Sequence, residues 1–391
     1  MLGLDEFLCK DPEVNAGWVR QRLQSRLRCS AWRQLGDVTP MAIQQEMAAS
    51  TAPRVDVAAW VRLAAGLLLC VAIATIAIVA ANYAPLVGAP VIAIAIGVVI
   101  TNTLRRPLHI GTLRIGEISK LCLKGGIILL GASLDLGVIV RTGAESLPVL
   151  LLTIGTGLIC ALLIGRVMNV HWRMRCLIGI GTTICGASAI AALAPLVRAK
   201  AEEIAYAISV IFFFNMLAVF MFPAIGHLMG LSDSGFGLWA GTAVNDTSAV
   251  VAAGFAYSHD AGTIATIVKL TRTTLIIPLV IGFGLLMPWF ETRPQGDRDS
   301  LAQRVYQALP VFIILFVLAS LMNTLGLMGG FGPSVQLVGR WVLVVALAAV
   351  GLQGHWRAFT GAGTRPLLLG LVTWAAVALS SLAIQGWENL L

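Results

Sequence analysis

From residue 57 onward the chain is a succession of apolar runs separated by short polar or turn-forming stretches. The runs lie near 57–81, 87–104, 113–134, 145–168, 174–197, 202–224, 235–257, 262–288, 307–325, 336–354 and 366–387. Each approaches the ~20 residues that an α-helix needs to cross ~30 Å of hydrocarbon. The pattern predicts an all-α polytopic membrane protein of about 11 transmembrane helices. Residues 1–55 are different in kind. They carry Lys10, Arg20, Arg22, Arg26, Arg28 and Arg33, with Trp18 and Trp32 among them. This reads as a cytoplasmic basic N-terminal tail, helical and surface-lying, ahead of a transmembrane domain over 56–391. The tail has no short apolar core, so no cleavable signal peptide is expected.

The apolar runs repeat. Residues 90–104 read PVIAIAIGVVITNTL and residues 310–325 read PVFIILFVLASLMNTL. Gly131 then falls opposite Gly351, and Pro148 opposite Pro366. Three helices therefore recur about 220 residues later, and the run count makes the copies point in opposite directions. Inverted repeats of this kind belong to secondary transporters, where exchanging the conformations of the two copies gives alternating access. A second repeat has an offset of 60 and no gap: GTTICGASAIAA at 181–192 and GTAVNDTSAVVA at 241–252. Glycine, serine and threonine at this depth weaken a helix, and tight packing through small residues is the competing reading. The repeat predicts that residues near 184–188 and 244–248 leave helical geometry and face one another. An interrupted helix frees N–H groups that favour an anion.

Composition supports the membrane reading. Charged residues make up 12% of the chain and the mean hydropathy is +0.87, whereas soluble domains carry about twice that charge. The net charge of +8 does not mark a nucleic-acid binder, because the basic residues lie in the tail and in short loops. With the tail inside, inner loops hold Arg105, Arg106, Arg114, Arg166, Arg173, Arg175, Arg293, Arg298, Arg304, Arg357 and Arg365, and outer loops only Arg141, Arg198, Lys200 and Arg340. The positive-inside rule then places the N-terminus in the cytoplasm and the C-terminus outside. The seven cysteines form no CxxC pair, so neither a metal nor a disulfide framework is expected. His109, His171, His227, His259 and His355 fall at run ends.

A few charges fall inside the apolar runs. Lys124, Asp246 and Arg272 each lie about 15 Å from the run ends at ~1.5 Å per residue. Each costs about 2.5–3.5 kcal/mol there on insertion scales, so a partner or a function is expected. Lys269 and Arg272 share a helix face. An Asp246–Arg272 or Asp246–Lys124 ion pair is the structural reading. The functional reading is a solute or ion site built from Cys185, Gly186, Ser188, Asn245, Asp246, Thr247, Ser248, Lys269, Arg272 and Lys124. The forked donors of Arg272 suit sulfate or carboxylate. There is no HExxH, no GxSxG and no second mid-membrane carboxylate, so an enzyme is not expected.

The stretches CGASAIAALAP (185–195), WAGTAVNDTSAVVAAG (239–254), ATIVKLTRT (265–273) and LKGGIILLGASLDL (123–136) resemble the YeiH-type bacterial inner-membrane proteins, the sulfate exporter family. The resemblance runs over roughly residues 57–387. It implies a fold related to the cation/proton antiporter and bile acid symporter group, with a site at two crossing, interrupted helices. It also implies transport of a small anion such as sulfate or a sulfonate. Two basic residues against one acidic residue at mid-depth point the same way. Coupling to Na⁺ or H⁺ through Asp246 and Asn245, or cation/proton exchange, stays open, and a channel is the lesser alternative. No cofactor is expected. The expected partners are the anion, the bilayer and a second copy in a homodimer, and no nucleic acid.

Overall fold

The computed structural model describes residues 57–83, 88–104, 112–278, 311–327, 331–354 and 364–388. The basic tail, His109, His355 and the inner-loop arginines at 105, 106, 293, 298, 304 and 357 lie outside the described residues. Among the described residues every regular element is helical: α1 Val57–Ala81, α2 Gly88–Leu104, α3 Ile115–Gly131, α4 Leu136–Val167, α5 Trp172–Thr183, α6 Ala187–Leu193, α7 Ala201–Met229, α8 Asp233–Ala243, α9 Thr247–Tyr257, α10 His259–Thr274, α11 Val311–Thr324, α12 Gly332–Gln353 and α13 Thr364–Trp387. Helices α1, α4, α7, α12 and α13 are long and apolar enough to cross a membrane, and α2, α9 and α11 are shorter apolar helices. The protein is an all-helical, multi-pass membrane protein.

Three boundaries differ from the sequence pattern, each for a local reason. The run 174–197 is two helices, α5 and α6, and the run 235–257 is α8 and α9. Pairing each half with its continuation turns the thirteen described helices into eleven units. Helix α4 begins at Leu136, nine residues before the apolar run, and so takes in Arg141, which the charge pattern places in a loop. The Asp135 side chain caps it by accepting from Gly137 N, and Arg141 Nε reaches Glu145 Oε1 four residues on at 2.8 Å, two devices that favour a helix start. Pro148 and Pro223 lie inside α4 and α7, which continue through them.

The 220-residue repeat reappears as reciprocal contacts. Thr101 Oγ1 donates to Leu352 O and Asn102 Nδ2 to Gly354 O, at 2.7 and 2.9 Å. In the other copy Ser320 Oγ and Asn323 Nδ2 both donate to Leu134 O, at 2.9 and 3.2 Å. Gly354 and Leu134 each stand three residues past the paired glycines Gly351 and Gly131. Gly351 needs to be glycine: a Cβ there would lie 2.4 Å from Ile94 O. Equivalent helices of the two copies run antiparallel. Along α3 and α12, Gly116 faces Gln353, Gly126 faces Leu343, and Leu129 faces Gly339. Along α4 and α13, Gly157 faces Val377 and Gly165 faces Leu369. The copies are therefore inverted with respect to each other.

An aromatic layer joins α7, α8 and α9 and packs α7 on α13 of this frame. Phe222 stacks on Trp239 at 4.1 Å between centroids, Phe236 stacks on Tyr257 at 3.9 Å, and Trp374 of α13 tilts against Phe214 and Phe222. Such pairs add about 0.5–1.5 kcal/mol each beyond their burial. Thr242 Oγ1 and Ser381 Oγ, 2.6 Å apart, join α8 to α13.

Candidate functional site

The 60-residue repeat holds residue for residue. Helix α5 ends at Thr183 and α8 at Ala243, and α6 starts at Ala187 and α9 at Thr247. Between them lie the breaks 184–186 and 244–246. In the first, Gly186 has φ 66° and ψ −127°, a region that is essentially glycine's. In the second, Val244 and Asp246 are extended. The two breaks face each other: a Cβ on Gly186 would lie 3.7 Å from Asp246 Cβ.

Interrupting a helix leaves its last carbonyls without N–H partners. One face of α10 supplies them. Lys269 Nζ donates to Ile184 O at 2.7 Å, to Val244 O at 3.0 Å and to Asn245 O. Arg272 Nε donates to Thr183 O at 2.5 Å, Nη2 to Thr182 O at 2.6 Å and Nη1 to Thr242 O at 2.5 Å. The acceptor pairs Ile184/Val244 and Thr182/Thr242 are repeat mates, so α10 bonds the two interrupted helices at corresponding positions. Both cations are fully buried. A buried cation is tolerated only when it is densely bonded, and two helix C-termini contribute roughly −0.5 charge each. The carbonyl ends thus offset about one of the two positive charges.

Asp246 plays a different part from the one expected. Among the described residues neither Lys269 nor Arg272 forms an ion pair with a carboxylate. Neither pair of the structural alternative, Asp246–Arg272 or Asp246–Lys124, is made: the guanidinium is spent on carbonyls, and Lys124 lies on the exposed side of α3. Asp246 instead caps α9: its Oδ2 accepts from Ser248 N at 3.0 Å and from the Ser248 hydroxyl. Asn215, in mid-α7, fastens the same break, its Oδ1 accepting from Asn245 N at 3.1 Å and Asp246 N at 3.0 Å. Beside this polar edge is a recess of about 20 Å³ lined by Asn215, Asp246, Ser248 and Ala249, and by Phe212, Met216 and Val219 of α7. Its remaining wall is Ile94 of α2 and Val350 of α12, one helix from each inverted copy. That volume suits about one water. The Asn245 amide, fully buried in the break, has neither Nδ2 nor Oδ1 bonded, and the Thr182 hydroxyl is likewise buried without a partner.

The structure brings together Cys185, Gly186, Asn245, Asp246, Ser248, Lys269 and Arg272, with Thr247 half-buried beside them. It leaves out two residues of the predicted set. Ser188 is exposed on α6. Lys124 is exposed on α3, with Nζ 5.9 Å from the Phe312 ring, because the buried side of α3 is the one packed on α12. Asn215 was not in the predicted set; its signal was a lone amide inside the apolar run 202–224, a costly position in a membrane. Among the described residues no group of three or more His, Cys, Asp or Glu side chains is placed to hold a metal ion.

The family described as conserved hypothetical protein 698 matches residues 65–370. A UPF0324 membrane protein of Streptococcus pyogenes serotype M18 is 39% identical over 335 residues, covering 82% of this chain and 96% of its own length. UPF0324 membrane proteins of Streptococcus pneumoniae (strain ATCC BAA-255 / R6) and Streptococcus agalactiae serotype V are 39% and 38% identical over the same shares. No solved structure matches.

Proposed function

The chain belongs to the conserved hypothetical protein 698 family, with the UPF0324 membrane proteins, and from that footing we propose that it is a secondary transporter moving a small anion across the bacterial inner membrane by alternating access. The observation that carries the reading is the position of the recess. On one side are α7 and the capped start of α9, whose break is tied to the facing break by Lys269 and Arg272. On the other side are α2 and α12, from opposite inverted copies. A site between a stapled unit and an inverted frame is what alternating access requires, since rocking one against the other opens it to either face.

Charge favours an anion. Two buried cations stand against one carboxylate, and the carbonyl ends offset about one unit. The N-terminus of α9 at Ser248 adds positive potential beside the recess. Sulfate or a sulfonate is the solute suggested by the family resemblance. The reading places the N-terminus in the cytoplasm. Asp246, the one carboxylate lining the recess, favours a second reading, cation-coupled or cation/proton exchange. Counterflow of labelled sulfate and methanesulfonate into proteoliposomes tests the proposal. Saturable, self-inhibited uptake is expected. Uptake no greater than in protein-free liposomes for both anions, with Na⁺/H⁺ exchange present, would replace it with the second reading.

A further inference from the structure

Each interrupted segment folds back on itself. Were α8 and α9 one continued span, Phe236 and Tyr257 would stand about 32 Å apart at ~1.5 Å per residue. Instead their rings stack at 3.9 Å, and Tyr257 Oη donates to Leu231 O, just ahead of α8. Helix α10 runs parallel to α8 and antiparallel to α9. Along α8, Gly237 faces Ile264 and Gly241 faces Val268. Along α9 the order reverses: Gly254 faces Gly262, whereas the break at Asn245 meets Lys269. The other segment does the same. His171 Nδ1, just ahead of α5, lies 3.4 Å from Glu203 Oε1 in the first turn of α7. A segment 172–197 that crossed the membrane would put those two residues on opposite sides of ~30 Å of hydrocarbon. A Cβ on Gly181 of α5 would lie 2.9 Å from Ile190 Cδ1 of α6, and the chain turns into α7 through Arg198, at φ 48°.

We infer that neither segment crosses the membrane: residues 172–197 and 233–257 are re-entrant hairpins that enter from opposite faces and meet tip to tip at mid-depth. Helix α7, 29 residues long, sets the faces, since it starts beside the base of the first hairpin and ends at the base of the second. The arms have the right reach. Helix α5 has 12 residues, and α8 and α9 have 11 each, which is about 16–18 Å, or half the hydrocarbon. The tips touch at Gly186 and Asp246, and Lys269 and Arg272 bind the carbonyls of both. Irregular backbone at that depth is tolerated because it is buried in protein.

The hairpins change the symmetry and the charge map. Each copy of the 60-residue repeat becomes a hairpin followed by one crossing helix, α7 or α10. One crossing per copy turns the second copy over. This repeat is therefore inverted like the 220-residue one, the symmetry that lets two copies exchange conformations. Arg198 and Lys200, which the apolar runs put outside, move to the face of Arg166, Arg173 and Arg175. Of the outer set, Arg141 and Arg340 remain, so the positive-inside bias is stronger with hairpins than with two spans. That bias played no part in tracing the hairpins.

Impermeant-maleimide labelling of single cysteines tests this, in the full-length protein with its native cysteines replaced, in right-side-out and inside-out vesicles. Arg166→Cys and Asp260→Cys mark the two faces, which are the same in either topology. Glu202→Cys and Ser234→Cys discriminate, and both positions are exposed. The hairpins predict that Glu202→Cys labels from the Arg166 side and Ser234→Cys from the Asp260 side. Two crossing segments predict the reverse, and a reversed side at either position overturns the inference. Lys200→Cys and Asp233→Cys, also exposed, repeat the two readouts should either variant accumulate poorly. The labelling needs no solute, so its outcome stands apart from the transport reading, which anion counterflow decides.

Discussion

At the residue scale, the charges that stand out in the apolar runs turn out to serve two purposes. Asp246, Lys269 and Arg272 were legible as important, because a charge deep in a membrane demands compensation. What they touch was not legible, since the partners of Lys269 and Arg272 are backbone carbonyls, which leave no mark on the side-chain pattern. This shifts the expected mutant behaviour. Lys269→Met would strand the carbonyls of 184 and 245 and leave that of 244 only its 3.3 Å bond from Arg272 Nη1, at about 1–3 kcal/mol for each buried group left unpaired. Its melting temperature should fall well below that of wild type. Arg272→Ala should be as damaging, and adding Asp246→Ala should not restore it, because the two side chains share no direct bond. Recovery of the melting temperature in that double variant would revive the ion-pair reading. Asn215→Leu keeps the volume but removes the acceptor of two break N–H groups. A loss of about 2–6 kcal/mol by the same rate per group is expected, read as a lowered denaturation midpoint. Lys124→Gln should leave anion affinity within error of wild type, since Lys124 stands on the exposed side of α3. A tenfold change there would bring it back into the site.

At the element scale, the interrupted helices follow from a repeat visible in sequence. Gly181/Gly241, Thr182/Thr242 and Ser188/Ser248 are in register at an offset of 60, and both breaks open between the threonines and the serines. Hydropathy alone reads each of the two as one span, because a break of three residues does not lower the average over twenty. The repeat also misled at Ser188, which has the sequence position of Ser248 but not its burial. The difference is local: the second break is capped by Asp246, whereas the first turns through Gly186, with no side-chain cap. Gly186→Ala is therefore a sharp test of the first break. At φ 66° and ψ −127° a side chain costs about 1–3 kcal/mol in backbone strain, and the added Cβ would lie 3.4 Å from Ile211 Cγ2. Gly230, in the milder left-handed region at φ 63° and ψ 33° with open space around it, should tolerate alanine better. Equal melting temperatures for the two variants would mean that the break relaxes freely.

At the scale of the whole molecule, the inverted repeat was readable from two Asn-Thr-Leu endings and a pair of glycines, and its geometry is seen in antiparallel α3/α12 and α4/α13. The recess was not readable, because it forms where Ile94 and Val350, 256 positions apart, meet the capped end of α9. The central claim is that this recess opens in turn to the two sides of the membrane. Ala249 lines it, is 4% exposed and makes no polar contact of its own side chain, so a cysteine there is a small change. The deciding measurement is labelling of Ala249→Cys, in a background with the native cysteines replaced, by an impermeant maleimide in right-side-out and inside-out vesicles. Alternating access predicts modification from both sides, at rates that sulfate or methanesulfonate shifts in opposite senses. Modification from one side only, unchanged by either anion, would contradict it.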